Sequence, residues 1–285
     1  MKNRKKLEEA IGLINCVQEF LSKLLDNVDV EDDSICEAYF MFDSQLDSKK
    51  TFQNFIEGDN NKVARTIGLS IVENPGQVTN NPCLIYGPSG CGKTHLINAI
   101  GMACKEKYPK KQVMYASARE LQRQYTYSVR KNLMDDFINY YQSIDVLIVD
   151  DIQEWMNAPK TLEAFILIYN HLISNGKKVI LASDRAPVKL QGMKKQILSR
   201  LVSGLVIEME KPTIQLCKDI LNAKCEQNGL KIPVEVIEYI ANTVNDNVFR
   251  LEGVVNSLKA YSLVNHVNID AELVKRVIIG KHLFG

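Results

Sequence analysis

The segment Gly87-Pro88-Ser89-Gly90-Cys91-Gly92-Lys93-Thr94 fits the pattern G-x-x-x-x-G-K-[ST] at every fixed position. The apolar residues 83–86 before it predict a buried strand, and residues 95–100 after it predict the first turns of a helix. Glycines allow the backbone of such a turn to reach positive φ and to bring its N–H groups to phosphate oxygens. The segment therefore predicts a phosphate-binding loop between a strand and a helix N-terminus.

The side chains of this loop indicate how a nucleoside triphosphate is held. Lys93 can reach the β- and γ-phosphates, Thr94 can place its hydroxyl on Mg²⁺, and the helix dipole favours negative charge. A glycine-rich turn that matches the pattern by chance is the alternative, and the flanking strand and helix argue against it. The candidate nucleotide-binding residues are Gly87, Pro88, Ser89, Gly90, Cys91, Gly92, Lys93, Thr94 and His95, of which His95 is interpreted as structural.

A pair of acidic residues downstream supplies the carboxylates that such a site needs. Residues 144–149 are apolar enough for a central parallel strand, and Asp150-Asp151 follow directly. The carboxyl ends of such strands border the crevice where ligands of open α/β sheets bind. Asp150 is the candidate Mg²⁺ ligand together with Thr94, and Asp151 is the candidate that orients or deprotonates an attacking water. By themselves, two acids after a strand also fit a polar turn or a helix cap.

Composition limits the class of protein. The chain has 285 residues with 35 basic and 34 acidic side chains, so it lacks the strongly basic balance of a stand-alone nucleic-acid binder. Its seven cysteines show no C-x-x-C spacing, which favours reduced thiols inside a cell. No apolar run reaches about 18 residues, so we expect a cytoplasmic protein without a membrane span.

The patterning of the chain divides it into three segments. Residues 1–50 combine an amphipathic helix within 7–28 with an acidic linker, and that helix can pack on its own chain or on a partner. Residues 51–208 alternate apolar strands with helices, which predicts an α/β domain with a parallel sheet flanked by helices. Residues 209–285 predict a small all-helical lid domain. The strands are expected at 83–86, 112–116, 144–149, 178–182 and 205–208.

The motifs along residues 51–281 resemble those of one family in combination. They are Thr51-Phe52-Gln53-Asn54-Phe55-Ile56-Glu57-Gly58 with Asn61 and Ala64, Asn74-Pro75-Gly76, Asn81-Pro82, Gly92-Lys93-Thr94-His95-Leu96, Tyr140-Tyr141, Val149-Asp150-Asp151-Ile152-Gln153, Leu181-Ala182-Ser183-Asp184-Arg185, Leu198-Ser199-Arg200-Leu201 and Leu251-Glu252-Gly253. Together they resemble the AAA+ module of the DnaA family of bacterial replication initiators. A generic phosphate-loop protein would share only two or three of them.

The resemblance implies ATP and Mg²⁺ as ligands and gives roles to further residues. Asn61 is expected near the adenine, and Asp184 matches the sensor 1 position that detects the γ-phosphate. Arg200 matches the arginine finger, which in this family reaches into the ATP site of the neighbouring subunit. A guanidinium at the γ-phosphate stabilises charge on the transferring oxygens. For Arg200, an arginine that ends a surface helix is the alternative.

Two departures from the family pattern affect these expectations. The lid arginine of the run N-V-R-x-L-E-G is replaced by Phe249, and Arg250 should point elsewhere because one helical residue is a rotation of about 100°. We therefore expect slow intrinsic hydrolysis. The sequence also stops at Gly285, where the family continues into a helix-turn-helix domain, so we expect no origin recognition by that route.

The resemblance also suggests partners. Single-stranded DNA is expected to bind weakly, at positions around Tyr125-Thr126 and Lys160 with Arg130 and Lys131 nearby, although a solvated basic face fits these residues equally well. The leading hypothesis is a DnaA-type protein that self-assembles with ATP in replication initiation or its regulation. An adapter similar to Hda, which would offer Arg200 to a partner initiator, and a helicase loader are the alternatives. Further partners would be an initiator, a helicase or a clamp.

Overall fold

Five parallel strands form one sheet in the order β2-β3-β4-β1-β5. We describe the chain from a computed structural model, over residues 44–76, 81–245, 247–265 and 269–280. The strands are β1 (Cys83–Tyr86), β2 (Val113–Ser117), β3 (Val146–Asp150), β4 (Lys178–Ser183) and β5 (Leu205–Glu208). Each lies within two residues of its predicted position, which confirms the α/β class with a parallel sheet.

Helices flank the sheet and then continue alone to the end of the described chain. They are α1 (Lys62–Glu73), α2 (Lys93–Lys107), α3 (Ala118–Lys131), α4 (Met134–Ser143), α5 (Pro159–Ser174), α6 (Lys195–Leu201), α7 (Ile214–Gln227), α8 (Val234–Thr243), α9 (Val248–Asn265) and α10 (Ala271–Gly280). The amphipathic helix predicted within 7–28 and the linker up to residue 43 lie outside the described residues. In the described ranges, no helix is both long and apolar enough to cross a membrane.

The strand order brings three strand ends together at one edge of the sheet. All residues of β3 and β4 are buried, as expected for strands covered on both faces. β4 lies between β3 and β1, so the residues that follow these three strands are neighbours. They are the loop from Gly87, the pair Asp150 and Asp151, and Asp184. Such a crevice at the carboxyl ends of parallel strands is where open α/β folds bind ligands.

Buried apolar side chains of the described residues form two hydrophobic clusters. The first contains buried residues from Phe52 to Met209 and packs against the sheet. The second contains buried residues from Cys217 to Ile278 and joins α7 to α10. Thr213 caps α7, because its hydroxyl accepts a hydrogen bond from the backbone N–H of Leu216 at 3.2 Å. The domain boundaries themselves remain a prediction.

Candidate functional site

The loop between β1 and α2 has the backbone that its glycines predict. Gly90 has φ +79° and Gly92 has φ +102°, both in the left-handed region that side chains rarely occupy. Gly92 lies at the N-cap of α2, which begins at Lys93. Gly90 is also tightly surrounded, since an added Cβ would lie 2.2 Å from Cγ of Asn247. Glycine is therefore required at residue 90 both by conformation and by the close approach of the lid.

The side chain of Lys93 folds back into the phosphate loop. Its Nζ donates hydrogen bonds to the carbonyl oxygens of Gly87 at 2.8 Å and Pro88 at 2.9 Å, and the residue is 6% exposed. The ammonium is thus held at the N-terminus of α2, where phosphate oxygens are favoured. Phosphate oxygens can take over its hydrogen bonds, because they are stronger acceptors than neutral carbonyls.

Thr94 and Asp150 form a pair of oxygen ligands behind Lys93. The Thr94 hydroxyl donates to Oδ2 of Asp150 at 2.6 Å, and the Tyr115 hydroxyl donates to the same atom at 3.1 Å. Burial raises the pKa of Asp150, while the bond from Thr94 opposes that shift. Oxygen donors suit Mg²⁺, which also keeps water and phosphate ligands. These two side chains therefore fit a magnesium ion shared with a nucleotide.

Asp151 and Asp184 lie beside this pair and are linked through Gln153. The Gln153 amide donates to Oδ1 of Asp151 at 2.8 Å, and its Oε1 accepts from the backbone N–H of Asp184 at 3.0 Å. Asp151 has φ +57°, a conformation that aspartate tolerates better than most residues. Its carboxylate is exposed at the surface of the central cavity, as an acid that orients water requires.

The central cavity holds about 240 Å³ and lies between the loop, the segment before α1, and helices α7 and α9. Phe55, Ile56, Leu216 and Ile220 give it an apolar wall that suits a purine base. Its other lining residues are Lys50, Asn54, Asn61, Ser89, Gly90, Cys91, Gly92, Lys93, Thr94, His95, Asp151, Asp184, Ala223, Lys224, Gln227, Val248, Phe249 and Glu252. The lining of the cavity therefore combines an apolar wall with charged side chains.

Asn61 and His95 line the cavity and also hold its walls in place. The Asn61 side chain accepts from the backbone N–H of Gly58 at 2.9 Å and donates to the carbonyl of Ile56 at 3.0 Å. Nε2 of His95 lies 2.9 Å from Oδ1 of Asn54, and burial lowers the His95 pKa. These contacts anchor the 51–58 segment to His95, and the structural interpretation of this residue stays a prediction.

Arg200 lies outside the central cavity, on a second surface that we call the Arg200 groove. Its Nη1 donates to Oδ1 of Asn170 at 3.3 Å, and its side chain is exposed. The groove is lined by Tyr125, Met134, Lys160, Glu163, Ala164, Ile166, Leu167, Lys194, Gln196, Ile197 and Arg200. Tyr125 and Lys160 are thus brought beside Arg200, whereas Thr126, Arg130 and Lys131 are not among the lining residues.

Comparison with known proteins identifies the family. A family model described as the bacterial DnaA ATPase domain matches residues 46–208, which is more than half of the chain. The chain belongs to this family. It is also 50% identical over 236 residues to the chromosomal replication initiator protein DnaA of Bacteroides fragilis (strain YCH46). That match covers 83% of this chain and 50% of the relative, so the chain spans about half the length of the curated relatives it matches.

Solved DnaA structures share the fold. Domain III from the Thermotoga maritima replication initiation protein DnaA has a TM-score of 0.79 at 29% identity, covering 82% of this chain and 98% of that one. A structure of replication initiator DnaA bound to AMPPCP and single-stranded DNA has a TM-score of 0.71 at 33% identity, covering 75% of this chain and 66% of that one. The AAA+ architecture inferred from the motifs is confirmed.

Phe249, which stands where the family motif has an arginine, lies inside the site. Phe249 lines the cavity and is 58% exposed, whereas Arg250 is not among the lining residues. The backbone N–H of Val248 donates to the carbonyl of Gly90 at 2.9 Å, which fixes the start of α9 against the phosphate loop. Phe249, rather than Arg250, is therefore the residue at the start of α9 that faces the central cavity.

An arginine at position 249 tests whether residue 249 or residue 250 of α9 faces the nucleotide. The Phe249→Arg variant is expected to bind ATP about tenfold more tightly relative to ADP, because a guanidinium beside the phosphate loop gains a charge-assisted contact with the third phosphate. Competition titrations against a fluorescent nucleotide measure the ratio, with Phe249→Leu as the uncharged control. An ATP preference that disappears in Arg250→Ala and does not change in Phe249→Arg would show that Arg250 detects the phosphate instead.

The sequence motifs assigned no role to several residues that complete this site, although Gln153 and Glu252 lie within the quoted motifs. Tyr115 and Gln153 bind the acidic pair, Leu216 shapes the apolar wall, and the ion pair Lys224–Glu252 at 2.7 Å closes the lid side. Leu216 and Lys224 could have been suspected only from the family pattern, because helical spacing does not distinguish a cavity wall from a core. The catalytic and binding roles of the predicted residues remain predictions.

Proposed function

We propose that this chain binds ATP with Mg²⁺ in the central cavity and acts in the initiation of chromosomal DNA replication through ATP-dependent self-assembly. One observation carries the proposal: in a member of the DnaA ATPase family, Lys93 and the Thr94–Asp150 pair converge on a phosphate loop below an apolar wall. Relatives up to 50% identical are named chromosomal replication initiators. We propose that the protein acts in the cytoplasm.

Different residues of the cavity would bind different parts of the nucleotide. Lys93 and the backbone N–H groups of the loop bind the phosphates, and the apolar wall takes the base. Thr94 and Asp150 would hold Mg²⁺, which when bound neutralises charge on the phosphate oxygens. Asp151 is exposed beside them and can orient a water for attack on the γ-phosphate, which makes slow hydrolysis possible.

Assembly would follow from the separation of Arg200 from the cavity of its own subunit. An exposed guanidinium can stabilise charge on a γ-phosphate only if it reaches one, and Arg200 lines a different surface. Entry of the Arg200 side chain of one subunit into the central cavity of the next would supply the missing cation and would leave Lys160 and Tyr125 accessible. ATP would then favour assembly, because its third phosphate is the group that Arg200 binds.

Weak binding of single-stranded DNA by the assembled protein belongs to the same proposal. Lys160 and Tyr125 offer a cation and an aromatic ring in the Arg200 groove, and such pairs track a nucleic-acid backbone and stack on bases. The chain carries a nearly balanced charge, so one subunit supplies too few cations for tight binding. Repetition of the pair along an assembly would supply the missing charge density. A DnaA relative has been solved with AMPPCP and single-stranded DNA.

The experiment is fluorescence anisotropy of a labelled single strand, with light scattering on the same samples. With an ATP analogue and high protein concentration, assembly and strand binding are expected together, and neither with ADP. Lys160→Ala is expected to weaken strand binding about tenfold and to lower its salt dependence, whereas Lys110→Ala, a matched change of an exposed lysine outside the groove, is not. Strand binding that is equal with ADP would contradict the proposal. Assembly without strand binding would favour the adapter alternative.

A further inference from the structure

The apolar wall and the phosphate loop of the central cavity come from different parts of the chain, and His95 connects them. Phe55 and Ile56 belong to the segment before α1, whereas the loop ends at Thr94 in the first turn of α2. His95 follows Thr94 directly, and its imidazole reaches back to residues 51–55. This side chain therefore joins the wall that suits a base to the helix that begins at the phosphates.

The hydrogen bonds of His95 define its tautomer. Nε2 lies 3.1 Å from the carbonyl oxygen of Thr51 and 2.9 Å from Oδ1 of Asn54. The same Oδ1 accepts from the backbone N–H of Thr51 at 3.0 Å, and Nδ2 of Asn54 donates to the carbonyl of Lys49 at 2.7 Å. These bonds fix the orientation of the Asn54 amide, so both partners of Nε2 are acceptors. Nε2 therefore carries the hydrogen and acts as the donor.

The same imidazole also positions Phe55. The two rings meet edge to face, with centroids 5.3 Å apart and an interplanar angle of 72°. Phe55 is buried and forms part of the apolar wall. One side chain thus holds the segment twice, through its donor to the 51–54 turn and through its ring to Phe55.

We propose that His95 is a positioning residue for the base: it couples the apolar wall to the first turn of α2, so that binding of the base and binding of the phosphates reinforce each other. The inference rests on the proposed function, because it concerns the same cavity. Lys93 and the backbone N–H groups of residues 87–94 can bind phosphates without the imidazole. The loss of His95 therefore falls on ligands that carry a base.

Ligands with and without a base separate this role from a general loss of stability. His95→Ala is expected to weaken ATP and ADP binding about tenfold each, because the segment must then be ordered by the base itself on binding. Inorganic tripolyphosphate with Mg²⁺ offers phosphates alone, and its affinity is expected to change less than about twofold. A general loss of folding would weaken all three ligands together.

Two conservative substitutions test the donor of His95. His95→Gln brings an amide N–H close to the place of Nε2, and it is expected to recover most of the ATP affinity. His95→Asn has the same amide on a side chain that is one methylene shorter, and it is expected to behave like His95→Ala. His171→Ala removes an exposed histidine from the last turn of α5 and is the matched control that should leave all affinities unchanged.

Calorimetric titrations of the full chain decide the proposal. If His95→Ala weakens tripolyphosphate as much as ATP, or if His95→Gln binds ATP no better than His95→Asn, the proposal is wrong. The comparison of the two amide variants on ATP holds even where tripolyphosphate binds too weakly to measure. If the wild-type chain binds neither ATP nor ADP, the proposed function itself fails, which is a distinct result.

Discussion

Replacing Lys93 with methionine is expected to weaken the binding of both ATP and ADP by about a hundredfold or more. The substitution keeps the aliphatic stem and removes an ammonium that would make at least two charge-assisted bonds to phosphate oxygens, each worth about 1.5–3 kcal/mol. Lys93 is nearly fully buried and points into the loop, so water cannot take its place easily. Isothermal titration calorimetry with Mg²⁺ present measures the affinities.

Two controls separate lost binding from lost folding. Lys218→Ala removes a lysine that pairs with Glu238 on the lid, outside the cavity, and should leave nucleotide affinity unchanged. A thermal melt of the Lys93→Met variant without nucleotide should remain cooperative, although the loop loses bonds to Gly87 and Pro88. A folded variant with unchanged nucleotide affinity would disprove the central role of the phosphate loop.

Replacing Arg200 with alanine is expected to abolish the concentration-dependent part of ATP hydrolysis and leave ATP affinity in dilute protein unchanged. Arginine fingers contribute about a thousandfold or more to phosphoryl transfer, and Arg200 does not line the central cavity of its own subunit. In wild type, phosphate release per subunit should be slow at concentrations where light scattering shows monomers. It should rise as assembly begins.

A mixing experiment tests whether the guanidinium acts between subunits. The Lys93→Met chain cannot hold ATP but offers Arg200, and the Arg200→Ala chain holds ATP but offers no guanidinium. Each should be inactive alone, and a mixture should recover part of the wild-type rate. Brisk turnover in dilute monomers, or a mixture as inactive as its parts, would place the essential cation in the same subunit as the nucleotide.

Local motifs predicted the elements that carry the chemistry. The loop at 87–94 could be located because its glycines are dictated by backbone conformation, and Gly90 and Gly92 have the positive φ that this requires. The strand before Asp150 could be located because a strand buried on both faces needs a continuous apolar run. The alternation of strands and helices then predicted the parallel sheet, because the pattern of apolar residues within each short element indicates which of its side chains are buried.

Only the tertiary structure decided which distant side chains meet. Tyr115 on β2 reaches Asp150 on the neighbouring strand β3. Leu216 joins the cavity wall from α7, a helix that also contributes to the second hydrophobic cluster. Asn247 packs against Gly90 because the lid folds back onto the loop. Apolar spacing identifies a buried helix face but not the surface that covers it, so such contacts leave no local pattern. The sequence alone therefore determined the phosphate loop, the acidic strand end and the class of fold, whereas the through-space contacts of the lid, Tyr115 and Gln153 arose only when the chain packed.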